Sequence, residues 1–240
     1  MQKIKIAVMA AKWYTSVEVI MIAVIGDIVD SRRLQNREET QNRLMMVLKK
    51  VNNTYSSNLV SAFIVTLGDE FQGVVNSDAL HILDEISMSM HPTKLRFGLG
   101  IGTILTQIDR GASIGADGPA YWSAREAIKF AHKDNDYGYS NIHLLISENE
   151  SSEHVLLINE ILKLTAIMAN NWNPTQIEVM KALLDEGIWS QDFDQKSIAK
   201  KIGRSDSSLT RRLATSGIKR YLQSRGKVQE VIERINSVYE

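Results

Sequence analysis

Residues 66–73 read Thr66-Leu67-Gly68-Asp69-Glu70-Phe71-Gln72-Gly73 and follow the apolar run Ala62 to Val65. Such a run reads as a strand, and a glycine with two carboxylates behind it ends the strand in a tight turn, so Asp69 is expected at the tip rather than facing the core. An acidic side chain held there can bind a metal. The arrangement recurs upstream, where Ile22 to Ile25 is followed by Gly26-Asp27 and then Ile28-Val29-Asp30-Ser31-Arg32. Two carboxylates on neighbouring strand ends suit a hard cation that bridges phosphate oxygens. Mg²⁺ takes one or two carboxylates from the protein and completes its shell with water and substrate phosphates. Each acid alone is better explained as an ordinary turn residue; the matched context brings the site reading of the pair level with that one.

Around these turns, strand and helix patterns alternate. Leu34 to Val51 reads as an amphipathic helix with Leu44, Met45, Leu48 and Val51 on one face. Leu59 to Val65 and Phe71 to Val75 read as strands joined through the turn. Ser77 is the expected N-cap of a helix running through Leu80, Leu83, Ile86 and Met90. Leu95 to Ile104 reads as a strand that places Gly98, Gly100 and Gly102 on one face. These glycines do not follow a strand and open a helix, so they suit close packing against a helix or ligand better than a dinucleotide loop. Asp117-Gly118-Pro119 introduces a helix to Lys133, and Asn141 to Ser147 reads as a last strand. The order matches an α+β, ferredoxin-like layout with one more helix and strand. In that topology the first and third strands are neighbours, which brings Asp27 and Asp69 together.

The 240 residues exceed one average domain, so two domains are expected. Apolar residues at 44% and charged residues at 23% suit a globular protein able to bury a core. No cysteine occurs, which excludes disulfides, thiolate catalysis and cysteine-ligated zinc. The five histidines show no short metal-ligand spacing. In the first twenty residues the run Ile6 to Ala11 is too short to span a bilayer, and Lys12-Trp13-Tyr14 interrupts it, so neither export nor a membrane partner is expected and the location reads as cytoplasmic. Because Met21 stands directly before the first strand, residues 1–20 read as a dispensable extension.

Glu148 to Glu153 is polar and acidic, and 148–154 reads as a linker between a domain of residues 21–147 and a helical domain of residues 155–240. Val155 to Ala169 is the first helix there. Asn173-Pro174 starts a second, Gln195 to Ile202 is a short third that stops at Gly203, and Ser205-Asp206 caps a fourth. A short helix, a glycine turn and a capped helix bearing arginines form the helix-turn-helix pattern, whose second helix enters the major groove of DNA. Ile198, Ala199, Ile202 and Leu209 would join the two helices. The DNA-facing set is then Lys200, Lys201, Arg204, Ser207, Ser208, Thr210, Arg211 and Arg212. Between Gln195 and Lys227 there are ten Lys or Arg and one acid, Asp206, which leaves eighteen basic and twenty-seven acidic residues elsewhere. That separation is the footprint of a module that docks on a polyanion, or of a solvated face on a helical bundle.

Ala23 to Arg32, Thr66 to Gly73, Leu95 to Gly102 and Ala116 to Arg125 together resemble the SatD family of bacterial proteins. Residues 21–147 are also similar to the palm domains of class III nucleotidyl cyclases and GGDEF diguanylate cyclases. Asp27-Ile28-Val29 resembles their first metal-binding segment, and Gly68-Asp69-Glu70-Phe71 keeps four of the five GGDEF letters, with Leu67 in place of the first glycine. The resemblance implies that Asp27, Asp69 and the Ile28 carbonyl hold Mg²⁺ or Mn²⁺. It places the amides of Val29, Asp30, Ser31 and Arg32 near nucleotide phosphates, with Glu70 beside them. In the cyclases the helix after the glycine strand carries an Asn and, four residues on, an Arg that steadies the transition state. Here Tyr121 stands at the Asn position and Arg125 at the catalytic Arg position, so nucleotide contact by both is implied while cyclisation is altered.

The leading expectation is a cytoplasmic, dimeric DNA-binding regulator whose palm-like domain senses a nucleotide with a divalent metal. The alternative is an active nucleotidyl cyclase or related phosphoryl-transfer enzyme using Asp27, Asp69, the metal and Arg125. A third is a palm-fold interaction module without ligand.

Overall fold

The computed structural model describes residues 20–133, 141–147 and 152–238. The amino-terminal extension and most of the polar linker lie outside the described residues. The first part of the chain folds as β1 (Ile20–Ile28), α1 (Arg37–Thr54), β2 (Leu59–Leu67), β3 (Glu70–Val75), α2 (Ala79–Met90), β4 (Leu95–Thr103), α3 (Pro119–Lys133) and β5 (Ile142–Ile146). The strands form one sheet in the order β2-β3-β1-β4-β5. All neighbours are antiparallel except β4 and β5. The first four strands thus have the expected split βαβ arrangement, with β1 beside β3.

Alternation along β1 divides the core into two layers. Ile22, Val24 and Ile28 face α1 and α2 and pack with Leu44, Leu48, Val51, Leu83 and Ile86. Ala23 and Ile25 face the other way and pack with Val74 and with Ala120, Tyr121 and Ala124 of α3. The glycines of β4 let α3 lie against the sheet as expected: a Cβ on Gly100 would stand 2.0 Å from the Ala120 carbonyl oxygen and 2.3 Å from the Ala124 nitrogen.

Five helices follow: α4 (Glu153–Asn170), α5 (Pro174–Asp185), α6 (Gln195–Lys201), α7 (Asp206–Ser216) and α8 (Ile218–Val238). Asn173 and Pro174 start α5 as the sequence predicts, with a complete capping box between Asn173 and Gln176. Ser205 caps α7 through the Ser208 amide. After α7 the chain enters α8, and no strand pair forms a wing among the described residues. The apolar core is continuous across the linker. Val155, Ile158 and Leu162 of α4 and Val228 and Ile232 of α8 join the layer that holds α1 and α2. A smaller core gathers α5, α6, α7 and the start of α8 around Leu183, Ile198, Leu209 and Leu222, and takes Met88 from α2.

Two helix starts differ from expectation. Ser31–Arg33 forms a 3-10 turn closed by the Arg33 and Leu34 amides, so α1 begins at Arg37 rather than Leu34. Ser77 does not cap α2. Asp78 precedes that helix at φ 55° without a side-chain cap. The Leu80 amide donates instead to Gln229 Oε1 at 2.8 Å and the Asp78 amide to Glu233 Oε1 at 3.3 Å, so α8 supplies the cap. One turn earlier in α8, Arg225 forms a fully buried ion pair with Asp84 of α2, to which the Tyr221 hydroxyl also donates at 2.8 Å. Burial of that kind is tolerated because the carboxylate's oxygens are all engaged.

Candidate functional site

In the β1 ladder Asp27 stands opposite Glu70 of β3 and opposite Arg96 of β4. Residues directly opposite share a face, so Arg96, Asp27 and Glu70 form a row across three strands on the α3 side. The row begins where the glycines of β4 end. Asp69 occupies the β2–β3 turn next to it. Gly68 makes that turn at φ 61°, a conformation that other residues adopt only with strain, and Gln41 of α1 donates to its carbonyl at 2.7 Å.

Charge and burial compete at Asp27. Burial pushes its pKa above the usual carboxylate value; Arg96 and His132 oppose this, while the charges of Asp69 and Glu70 reinforce it. Its Oδ2 lies 3.6 Å from Arg96 Nη1, a loose ion pair. Its Oδ1 is buried with no hydrogen-bond partner among the described residues. Glu70 Oε1 lies 3.7 Å from Arg125 Nη2, and the Thr66 hydroxyl donates to the Glu70 carbonyl at 3.3 Å. Among the described residues no group of three or more His, Asp or Glu side chains is placed to hold a metal. The oxygen donors present, with one buried oxygen unclaimed, suit a hard cation that keeps most of its shell for water and ligand.

The other expected site residues divide. Ile28 ends β1 with its side chain in the core. The Val29 amide donates to the Lys94 carbonyl at 2.9 Å and is therefore not free for a phosphate, which corrects the expectation. Asp30 adopts φ 53°, Ser31 is buried in the 3-10 turn and Arg32 is exposed. Tyr121 is a second correction. It points from α3 into the core at 5% exposure, its hydroxyl forms no hydrogen bond although Ser113 lies nearby, and burial pushes its pKa up to about 12. Contact with a nucleotide is closed to it because its ring fills the layer between α3 and β1. Arg125, one helical turn on, is half exposed.

Two features were missed. Arg96 is one polar residue in an apolar strand, and its spacing carries no signal. The connection 104–118 crosses the sheet face to the free edge of β2. Gln72 Nε2 donates to the Ser113 carbonyl at 2.6 Å, Ser61 Oγ to the Asp109 carbonyl at 2.5 Å, and the Ala62 amide to the Arg110 carbonyl at 3.0 Å.

The basic window is also less free than the sequence suggests. Arg212 Nη1 lies 2.9 Å from Glu178 Oε2 of α5, Arg204 lies 3.7 Å from the same carboxylate, and Lys201 lies 2.5 Å from Glu186. Arg225 is buried. Acids on and just after α5 thus neutralise three of the cations expected to face DNA. Lys200 and Arg211 are exposed and have no acidic partner among the described residues. Ser207 and Thr210 are also exposed, while the Ser208 amide is spent on the α7 cap.

Solved structures with partial likeness to this chain include a bacterial light-regulated adenylyl cyclase, 13% identical over 53% of this chain and 43% of its own length at a TM-score of 0.40. Another is the guanylyl cyclase Cya2, 12% identical over 46% of this chain and 70% of its own, with a TM-score of 0.35. A third is the guanylate cyclase domain of RhGC from Catenaria anguillulae in complex with GTP, 16% identical over 47% of this chain and 73% of its own, with a TM-score of 0.36. The chain spans less than half the length of the first of these. Comparison with curated proteins gives no match. A family model matches residues 21–232, nearly the whole described chain, and the protein belongs to the SatD family.

Proposed function

We propose that the protein binds a nucleoside triphosphate with a divalent cation at the Asp27–Glu70 row, as a metal-dependent phosphoryl-transfer enzyme of the nucleotidyl cyclase type. The observation that carries this reading is the buried, unpartnered Asp27 Oδ1 beside Asp69 and Glu70. An unsatisfied buried carboxylate oxygen costs free energy, and a site that spends it is suited to a cation. Asp27 and Asp69 would hold the ion, with the Ile28 carbonyl as a third donor. When bound, Mg²⁺ or Mn²⁺ neutralises phosphate charge. Arg125 is only loosely engaged by Glu70 and is free to swing its guanidinium onto phosphate oxygens in a forked contact. Asp30, Ser31 and Arg32 border the same end of β1.

Calorimetry with ATP and with GTP, with and without Mg²⁺, tests the binding step, and product analysis after incubation with each nucleotide and Mn²⁺ tests turnover. The expected result is metal-dependent binding that Asp69→Ala abolishes. Nucleotide binding that ignores both the metal and Asp69 would overturn the reading.

Lys200 and Arg211 support a second reading, in which α6 and α7 dock on DNA and the nucleotide regulates that contact. Its signature is an affinity that falls with salt at a slope of about −0.9 per phosphate neutralised. Binding that is flat with salt, or unchanged in Arg211→Ala, would remove it. No described helix is long and apolar enough to cross a membrane.

A further inference from the structure

Behind the carboxylate row lies a cavity of ≈ 310 Å³ between the end of β1, the connection from α2 to β4, and the end of α4. Its size is that of a pocket for one small molecule, whose sites run from about 300 Å³ upward. The walls are firmly set. Arg43 of α1 donates to the carbonyls of Ser89 at 2.5 Å and His91 at 2.9 Å, which pins the connection from α2 to β4.

The lining carries one loosely held cation and one buried amide oxygen without a partner among the described residues. Arg96 has its side chain only 13% exposed, yet its one charged contact is the 3.6 Å pairing with Asp27, and among the described residues it makes no hydrogen bond. A guanidinium has five N–H donors, so one held only by a loose, partly exposed ion pair keeps donors for an incoming anion. The Asn141 Oδ1 in the same wall is buried and has no partner among the described residues. A half-turn of that amide presents Nδ2, a donor, at the same point.

The charge in the cavity is positive. Lys94 and Arg96 outnumber Asp30, the one acid of the lining. Burial, reinforced by Lys181 and Arg43, pushes the His91 pKa below its usual value. The remaining wall is apolar, built by Met88, Trp172 and Ile177. The Trp172 ring is held in place by its Nε1, which donates to the Ser216 carbonyl at 2.8 Å.

We propose that this cavity binds a small organic anion, with its phosphate or carboxylate on Arg96, Lys94 and the Asn141 amide and its apolar body against Met88, Trp172 and Ile177. The same occupant draws Arg96 away from Asp27 and so releases that carboxylate for a divalent cation. Arg96 is thus a positioning residue shared by two ligands, each of which raises the affinity of the other by the same factor. The coupling rests on the metal reading of Asp27 given above. The cavity's ligand does not.

Phenyl phosphate is a suitable probe because it joins a dianion to an apolar ring. Inorganic phosphate tests the charge alone and benzyl alcohol the ring alone. Calorimetry is expected to show phenyl phosphate binding more tightly than inorganic phosphate, with benzyl alcohol silent. Lys94→Gln should weaken phenyl phosphate about tenfold, the usual loss for a charged hydrogen bond. Asn170→Asp, at an exposed position on the rim, should weaken it severalfold by repulsion. Absence of binding, or binding indifferent to both substitutions, overturns the site. Inorganic phosphate binding as tightly as phenyl phosphate overturns the apolar half.

Mn²⁺ affinity measured by electron paramagnetic resonance should rise about fivefold or more with saturating phenyl phosphate. In Arg96→Gln the Mn²⁺ affinity should already be high and indifferent to phenyl phosphate. An Mn²⁺ affinity that phenyl phosphate leaves unchanged in the native protein overturns the coupling. No Mn²⁺ signal under any condition sinks the metal reading and the coupling together, while the calorimetry still decides the cavity.

Discussion

Replacement of Asp27 by asparagine should make the protein more stable and unable to bind a metal. The amide keeps the shape of the side chain and removes its charge. The native carboxylate has one buried oxygen with no partner, a deficit of about 1–3 kcal/mol for such a group. The loose, partly exposed pair with Arg96 returns only about 0.2–1 kcal/mol. The new amide can donate toward the carboxylates of Glu70 and Asp69, which the native side chain repels. A net gain of about 1 kcal/mol follows, equivalent to a Tm rise of about 2–4 °C for a chain of this size. The sign with pH can be worked out. Asp27 is an acid whose pKa is raised on folding, so the folded state binds its proton more readily than the unfolded state. The native protein is therefore relatively most stable below the unfolded value, near 3.8, and loses that advantage as pH rises through the raised folded value. The advantage of Asp27→Asn should be full at pH 7 and should close as the pH falls toward 3.8. Thermal melts by circular dichroism at pH 7 and pH 4 without metal measure the gap, and Mn²⁺ titration measures the lost site. A lower Tm for Asp27→Asn at pH 7 would show that Asp27 is a structural anion held by Arg96, and the burial argument would fail.

Arg225→Met leaves Asp84 buried without its cation and should cost about 3–5 kcal/mol in urea melts, most of it recovered in Arg225→Met/Asp84→Asn; a single mutant as stable as the native chain would refute the ion pair. The same melts should show one transition, because α4 and α8 share the sheet's core, and two well-separated transitions would contradict that shared core. Gly100→Ala drives a Cβ into the backbone of α3 and should cost more than about 3 kcal/mol. Gly226→Ala in α8 meets open space and should gain about 0.5–1 kcal/mol through helix propensity, so equal effects of the two substitutions would refute the packing account.

What could be read from the sequence was what short-range pattern encodes. Gly68-Asp69-Glu70 between two β-rich runs announces the β2–β3 turn, and the strand order that puts β1 beside β3 follows from connection lengths and helix spacing. The alternate glycines of β4 announce a close helix, and α3 fills that place. The row itself was only half legible. Asp27 and Asp69 stand out because each follows a strand and a glycine, whereas Arg96 becomes visible only through the antiparallel register that sets it opposite Asp27. Tyr121 was misread because spacing along a helix gives the face but not the depth of the neighbouring layer. Asp84 and Arg225 lie far apart in sequence, and no local pattern marks either as a buried charge. The ten basic residues near the carboxyl end were counted correctly, but a count does not reveal that Glu178 and Glu186 lie across from them.

The 21 residues of α8 run about 30 Å and belong to both apolar clusters, with Tyr221 and Leu222 in the smaller and Val228 and Ile232 in the larger. On the ribosome, where chains emerge from the amino end, all five strands precede this segment, and the apolar layer of α1 and α2 stays partly uncovered until α8 arrives. The start of α2 therefore lacks its Gln229 and Glu233 partners through most of translation. A fragment engineered to stop at Ser147 would lack those contacts permanently, so the proposed nucleotide binding is to be assayed in molecules that retain α8.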